Sequence, residues 1–207
     1  MRDKQFLLGK SDPKSDNFDV LEFSVRDISK AQIPSNIKII SPYAFSSCSN
    51  LKTIEIPENS ELETIEKYAF YCSKIEEIFI PPHVSTIGES AFDSCVFLNC
   101  VKIPVNSEIQ IIDEFAFSLS SINELFIPPQ LKELRIGWCS YANKLTNIMV
   151  SPENKNFILR DKQLLLGKSD PKSDNFDVLE LSVCDISKVK IPSNIKIISP
   201  YAFSSSK

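Results

Sequence analysis

Glycine and histidine are scarce in this sequence of 207 residues. The four glycines, Gly9, Gly88, Gly137 and Gly167, stand tens of residues apart. Because the phosphate-binding loops GxGxxG and GxxxxGK[ST] need closely spaced glycines, nucleotide-binding loops of these types are excluded. His83 is the only histidine, so metal sites and catalytic dyads that need two histidines are excluded as well. With no catalytic constellation, metal motif or cofactor loop, the sequence predicts a protein that is not an enzyme and binds no cofactor.

An excess of positive charge and a long apolar run are also missing. The chain has 23 Lys and Arg against 27 Asp and Glu, and its pI is near 5.2. This balance predicts no general attraction to nucleic acid or to anionic membrane surfaces. No run approaches the roughly 18 apolar residues of a membrane span, and the start "MRDKQFLLGKSDPKSD" turns polar too soon for a signal peptide. We therefore expect no membrane insertion by this chain.

The six cysteines form no CxxC pair and no dense disulfide framework. Cys48, Cys72 and Cys95 follow Ala-Phe pairs by two or three residues. Free cysteine often behaves as a small buried apolar residue, so we expect inert, stacked thiols at these positions. The alternative is a disulfide between neighbouring units in an oxidising compartment, with Cys100 as the odd thiol. A reactive thiol would need a base, and only His83 could supply an imidazole.

Two polar features carry a structural and a functional interpretation. His83 shares a turn position with Asn36 and Gln130, so we expect an ordinary polar turn residue there.

The run "SDPKSDNFD" at Ser11 to Asp19, repeated at Ser169 to Asp177, contains closely spaced aspartates that could suggest calcium binding. It lacks the alternating carboxylates, central Gly and closing Glu of the known calcium loop. Asp, Pro, Ser and Asn are turn residues, so the run predicts a solvated turn.

The sequence repeats at two periods, and the longer one is 158 residues. A shift of 158 residues aligns Arg2–Ser47, the first copy, with Arg160–Ser205, the second copy. Five positions differ: Phe6/Leu164, Phe23/Leu181, Arg26/Cys184, Ala31/Val189 and Gln32/Lys190. So high an identity indicates a recent duplication.

A shorter period of alternately 24 and 23 residues lies between the two copies. Units 1 to 4 are Leu51–Lys74, Ile75–Phe97, Leu98–Ser121 and Ile122–Lys144. Each has apolar residues at positions one, four and six, usually followed by Pro, then a second apolar pair and Ala-Phe. The alternation at positions four and six predicts a strand, which the Pro ends. Unit 4 has Trp138-Cys139 in place of Ala-Phe, and we expect the large aromatic ring to fill the same volume.

A unit of this size cannot bury its apolar residues alone, so like positions must stack on those of neighbouring units. The repetition therefore predicts a β-rich solenoid with few or no helices. Each unit would contribute one strand to a parallel ladder on one face and return irregularly, with a ladder of Phe side chains inside the coil.

The pattern "LxxIxIPxxVxxIGxxAFxxC" resembles the BspA-like class of leucine-rich repeat proteins, found on the surfaces of certain bacteria and parasitic protists. The stretch "IEEIFIPPHVSTIGESAFDSC" in unit 2 matches it nearly letter for letter. The resemblance covers essentially the whole chain. It implies a leucine-rich repeat solenoid interrupted by β-hairpin insertions called islands. It also implies a surface antigen or adhesin, at the cell surface or secreted, of a family in which some members bind host matrix proteins.

One solenoid domain over residues 1–207 is therefore expected, with a partial island at 1–33, regular repeats at 34–150, an island at 151–190 and a truncated repeat at 191–207. Within the island, "FILRDKQLLL" predicts a hairpin with strands Phe157 to Arg160 and Leu164 to Leu166. Met1 aligns with Leu159, so the first copy begins inside its hairpin. The chain then looks like a window onto a longer array, and we expect self-association through uncapped ends.

The outward positions of successive strands give a candidate protein-binding site. Position five contributes Glu55, Phe79, Lys102, Phe126 and Met149, and position three adds Thr53, Glu77, Cys100, Glu124 and Asn147. Two exposed Phe residues two strands apart, roughly 10 Å, would flank a lysine. Aromatic and Met side chains among charges are typical of a protein-binding surface. The alternative is that these positions take Phe for its β-propensity, or that a loop covers them.

Two functions are consistent with these observations. The first is a protein-binding module that presents its strand face to another protein, such as a host extracellular matrix glycoprotein. The second is a structural surface protein that assembles into arrays through its ends.

Overall fold

The structure is a computed structural model that describes residues 5–183 and 190–206. Met1, Cys184 and Val189, which enter the comparison of the copies, lie outside the described residues. No described segment is a helix that is long and apolar enough to cross a bilayer. The strands are β1 Phe6–Gly9, β2 Val20–Ser24, β3 Lys30–Gln32, β4 Ile39–Ile40, β5 Thr53–Glu55, β6 Thr64–Ile65, β7 Glu77–Phe79, β8 Thr86–Ile87, β9 Cys100–Lys102, β10 Ile111–Ile112, β11 Glu124–Ile127, β12 Glu133–Leu134, β13 Asn147–Val150, β14 Ile158–Arg160, β15 Leu164–Gly167, β16 Val178–Ser182 and β17 Ile197–Ile198.

The described chain forms a β-solenoid in which each unit places its first strand on a common face. Strands β3, β5, β7 and β9 form one parallel sheet and β11 and β13 form another, with β9 and β11 side by side. Like repeat positions pair in register, as Ile78 does with Val101. The residues at positions one, four and six of all four units are buried. The predicted solenoid and its strand ladder are therefore confirmed.

A second parallel ladder replaces the irregular return that the sequence pattern had predicted. Strands β2, β4, β6, β8, β10 and β12 pair in this order, and β1 is antiparallel to β2 at the edge. Ile40 pairs with Ile65, and Ile65 pairs with Ile87. The prediction was wrong because the strands of this ladder after β2 are only two residues long, too short to show the alternation of a strand in the sequence. Stacking of equivalent segments nevertheless pairs their backbone amides with the neighbouring units.

Phenylalanine rings form a continuous column inside the coil. Phe45, Phe70, Phe92 and Phe117 are fully buried. Successive ring centroids are 4.9, 5.1 and 5.2 Å apart, with the ring planes within 5° of parallel. The predicted Phe ladder is therefore confirmed. Each ring is packed by the equivalent rings of its neighbours, and no unit provides this environment by itself.

Unit 4 is the last unit of the column, and its large and small side chains stand in the reverse order of the Ala-Phe pair. The amide of Phe117 donates to the carbonyl oxygen of Trp138, as the amide of Phe92 does to that of Ala116, so Trp138 stands at the Ala position. Cys139 then stands at the Phe position, and both are buried. Gly137 has a φ of 64°, and a Cβ there would lie 2.5 Å from the Phe115 ring. A side chain at this turn would therefore require the Phe115 ring to move.

The predicted hairpin is present at the start of the second copy, since β14, which ends at Arg160, pairs antiparallel with β15. β16 extends the hairpin on the other side of β15 and pairs in parallel with β17. The first copy has the matching arrangement of β1, β2 and β4. The islands are therefore built into the solenoid as additional turns of the coil. Each turn, with the strands it contributes to the ladders, is called a rung.

Replacing Phe92 by Ala should lower the free energy of unfolding by about 3–5 kcal/mol, because the deletion leaves a cavity between two stacked rings. Phe97→Ala in the same unit is the matched control. That ring is exposed with Lys74 over it, and its loss should cost less than about 1 kcal/mol. Urea unfolding followed by circular dichroism measures both values. Similar losses for the two variants would contradict the stacked column.

Candidate functional site

The strand face is the outward side of β3, β5, β7, β9, β11 and β13. Six rungs at strand spacing span about 24 Å. The alternation that buries positions four and six turns positions three and five outward, in two rows. One row contains Lys30, Thr53, Glu77, Cys100, Glu124 and Asn147, and the other contains Gln32, Glu55, Phe79, Lys102, Phe126 and Met149. The structure therefore brings all ten residues of the predicted candidate site onto one surface.

The first end of the strand face is polar and internally paired. Glu55 accepts a hydrogen bond of 2.6 Å from Lys30 and one of 2.7 Å from Gln32. These two bonds, the one from Lys30 first, hold the pKa of Glu55 below its usual value. The sequence analysis missed Lys30. Aligning "KAQIP" of the first copy with "TIEIP" of unit 1 would have revealed it.

The middle of the face combines an ion pair with an aromatic ring. The Nζ of Lys102 donates to Glu77 at 2.8 Å, and this hydrogen bond raises the pKa of Lys102. Lys102 is also the register partner of Phe79 on the neighbouring strand. Exposed ion pairs contribute little to stability. This pair places one cation and one anion on the strands that carry and neighbour Phe79.

At the other end of the face the position-five row is apolar and the position-three row is polar. Phe126 pairs in register with Met149, which is exposed. Asn147 donates to Glu124 over a long 3.4 Å. Phe79 and Phe126 were expected to be exposed, but both are partly buried, and Phe126 packs against the main core. A ring on a strand is flanked by side chains in the same row of adjacent rungs, which cover part of its surface.

The thiols follow the predicted pattern except at one position. Cys48 and Cys95, each three residues after a Phe, are buried as expected. Cys72 is exposed, which corrects the prediction. It stands only two residues after Phe70, in a turn with a φ of 55°, and Ser73 takes the buried place. All five described cysteines are free thiols.

The repeated aspartate runs are turns, but their last residue is not solvated. Asp19 is buried and accepts hydrogen bonds from the amide and hydroxyl of Ser11 at 2.8 and 2.6 Å. Asp177 makes the same bonds with Ser169 and an ion pair with Lys196. The bonds from Ser169 lower the pKa of Asp177 to about 2. The last aspartate of each run therefore closes its own loop.

His83 lies in an exposed turn, as predicted, with its Nδ1 3.3 Å from Glu108. Among the residues that the structure describes, no group of three or more His, Cys, Asp or Glu side chains is arranged to hold a metal ion. The strand face is the arrangement that combines paired polar groups with aromatic surface.

Comparison with known sequences gives a family match. The model of the BspA type leucine rich repeat region matches residues 20–146 and 176–207, in six copies, which is well over half of the chain. No curated protein matches the chain.

Several solved structures are similar. The pneumococcal vaccine antigen PcpA is 27% identical, with a TM-score of 0.70 over 84% of this chain and 42% of that one. A leucine rich cell surface protein from Faecalibacterium prausnitzii is 22% identical, with a TM-score of 0.60 over 81% of this chain and 50% of that one. A leucine-rich repeat protein from Eubacterium ventriosum is 19% identical, with a TM-score of 0.60 over 90% of this chain and 50% of that one. The last two show the fold alone, and the chain spans at most half the length of these proteins.

Thiol reagents should modify the folded protein in a fixed order. Cys72 should react first and Cys100 next, because their side chains reach solvent. Burial raises the pKa of Cys95 to about 12 and that of Cys139 well above its usual value, so little thiolate forms at mildly alkaline pH. These two should react only after unfolding.

The measurement is mass-spectrometric mapping of modified thiols over time, in a Cys184→Ser background that removes the sixth cysteine. Modification of Cys95 at the rate of Cys72 in folded protein would contradict the described core.

Proposed function

Because the chain belongs to the BspA-type leucine-rich repeat proteins, we propose that it is a non-enzymatic protein-binding module that presents its strand face to another protein. A solenoid of this kind offers an extended surface to a partner. Two of the similar structures carry descriptions that support a surface role, since one is a vaccine antigen and another a cell surface protein. The location we propose is accordingly the cell surface or the secreted fraction.

The observation that carries the proposal is the sequence of side chains along position five. Four consecutive rungs carry Phe79, Lys102, Phe126 and Met149 at this position. One positive charge therefore lies between apolar side chains. Aromatic, Met and cationic side chains are the types that contribute most to protein interfaces. Partial burial supports this role, because a ring already fixed by its neighbours loses little conformational freedom on binding.

The partner we propose is a host extracellular matrix glycoprotein. An extended or repetitive protein segment could lie across the strand face and meet the paired charges at one end and the apolar side chains of Phe126 and Met149 at the other.

The double substitution Phe79→Ser with Phe126→Ser should weaken binding to immobilised matrix glycoproteins, fibronectin among them, by at least about tenfold, because it removes two central apolar contacts. Surface plasmon resonance measures the affinity, and circular dichroism checks the fold. Since Phe126 packs on the core, the exposed substitution Met149→Lys provides a second test of the same surface.

The matched control is Val96→Ser with Phe97→Ser, which removes two exposed apolar side chains outside the strand face. Binding should be unchanged in this control. Equal affinity for the wild type, the double variant and Met149→Lys would exclude the strand face as the binding site.

A further inference from the structure

The second ladder is interrupted inside the chain, between unit 4 and the second copy. Strands β4, β6, β8 and β10 each have a neighbouring strand on both sides, whereas β12 pairs with β10 alone among the described strands. Leu134 of β12 continues the row formed by Ile40, Ile65, Ile87 and Ile112. Those isoleucines are 0% exposed, but Leu134 is only partly buried. One internal rung therefore lacks the cover that its equivalents have.

The free edge of β12 carries two carbonyl oxygens that accept no amide. In the rung before it, the oxygens of Gln110 and Ile112 accept the amides of Lys132 and Arg135 at 2.9 and 3.0 Å. The equivalent oxygens of unit 4 belong to Lys132 and Leu134, and no described residue donates to either of them. Because carbonyl groups two residues apart point to the same side of a strand, both face away from unit 3.

Asparagine side chains explain why no strand follows β12. After β13 the chain turns, and the side-chain amide of Asn154 donates to the carbonyl oxygens of Pro128 and Leu131 at 2.6 and 3.2 Å. The side chain of Asn156 donates to Leu131 as well, at 2.9 Å. The next strand, β14, then pairs with β15 in the hairpin. Side-chain hydrogen bonds therefore replace the backbone pairing just before β12, and β12 itself is left unpaired on this side.

A groove of about 960 Å³ lies along this edge. One wall is formed by residues 132–135, and the other includes Lys155, Lys168 and Glu180. Ligand sites in proteins have volumes of roughly 300–1,000 Å³, so the groove is large enough for a peptide. A strand of four residues, the length of residues 132–135, is about 13 Å long. Both walls lie within residues 129–180, with described chain on either side of them.

Three lysines without an ion pair line the groove. Lys132 donates to the neutral side chain of Gln110 at 2.9 Å. Lys168 lies over the ring of Phe176, with its Nζ 4.8 Å from the ring centroid. Lys155 is exposed and makes no ion pair with any residue that the structure describes. None of these contacts neutralises the positive charge.

The acidic residues of the groove offset this charge only in part. Glu133 pairs with Arg135, which also pairs with Asp113. Burial raises the pKa of Glu180, so this carboxyl holds its negative charge less firmly than an exposed one. Glu153 is exposed. The groove therefore has an excess of positive charge, which favours an acidic ligand.

We propose that this groove binds an extended acidic segment of a protein partner, which adds beside β12 as the next parallel strand of the second ladder. Two amides of the segment, two residues apart, donate to the carbonyl oxygens of Lys132 and Leu134. Its acidic side chains lie among the three lysines, and an apolar side chain covers Leu134. Addition of a strand to an open sheet edge is a common mode of peptide recognition, in which the backbone bonds supply affinity and the side chains supply specificity.

Fluorescence anisotropy with a fluorescein-labelled peptide of about eight residues, alternating glutamate and valine, tests this proposal. The peptide should bind saturably to the wild-type protein. A peptide alternating lysine and valine should bind at least about tenfold more weakly, because its charge matches that of the groove. Absence of saturable binding up to millimolar protein would overturn the proposal, as would equal affinity for the two peptides.

The variant Lys155→Glu with Lys168→Glu places the site in the groove. It should weaken binding of the glutamate peptide at least about tenfold. The matched control is Lys52→Glu with Lys144→Glu, which makes the same change of charge at two exposed lysines outside the groove and should bind like the wild type. Circular dichroism checks that both proteins keep the wild-type fold. Equal weakening in the two double variants would reduce the effect to net charge and exclude the groove.

Methylation of the peptide backbone tests the added strand. Amides two residues apart point to the same side of a strand, so the peptide has two alternate sets of amides. Methylation of one set should abolish binding, because it removes the donors to β12, and methylation of the other set should leave most of the affinity. Equal affinity for the two methylated peptides would contradict strand addition.

The groove and the strand face are separate surfaces, so the two proposals can fail independently. Met149→Lys should bind the glutamate peptide like the wild type. The Lys155→Glu, Lys168→Glu variant should bind matrix glycoproteins like the wild type. Loss of peptide binding in the Met149→Lys variant would overturn the assignment of the peptide to the groove.

Discussion

The structure depends on the stacking of each side chain on its equivalent in the next rung. Phe92 is buried because Phe70 and Phe117 lie above and below it, and the same holds for the apolar positions of both ladders. No unit has a core of its own. Stability in such a protein is close to a sum of contacts between neighbours, so each rung is only as stable as the rungs beside it.

This constraint divides the residues of each unit into two groups. Inward positions must match their neighbours in size and shape, and they repeat as Ile, Leu, Val, Ala and Phe. Outward positions three and five carry no such requirement, and they vary from Glu55 to Phe79 to Lys102 along the same row. A solenoid can therefore change what it binds without changing how it folds. Ordered pairs such as Glu77 and Lys102 give this variable surface a fixed arrangement.

The sequence predicted those features that depend on period, because period determines which residues stack. The buried positions, the Phe column and the parallel strand face all follow from it, and the hairpin at 157–166 follows from the local stretch FILRDKQLLL. It did not predict the second ladder, since strands of two residues show no alternation. It also misplaced Cys72, where a shift of one residue relative to Phe70 turns the side chain outward. The partial burial of Phe79 and Phe126 depends on neighbouring side chains in adjacent strands, which the period does not specify. The ion pair between Lys30 and Glu55 was missed because the sequence pattern did not identify β3 as part of the strand face.

The near identity of the two copies also bears on how a gene of this kind can vary. The structure contains both junctions that a copy can make, one with unit 4 before it and one with unit 1 after it. Recombination between the two coding segments would add or remove 158 residues at a time. Every junction in the product would be one that already exists in this fold. Adding or removing a whole period would therefore leave every contact between neighbouring units of a type already present. Each recombination would change only the number of strands that contribute to the strand face.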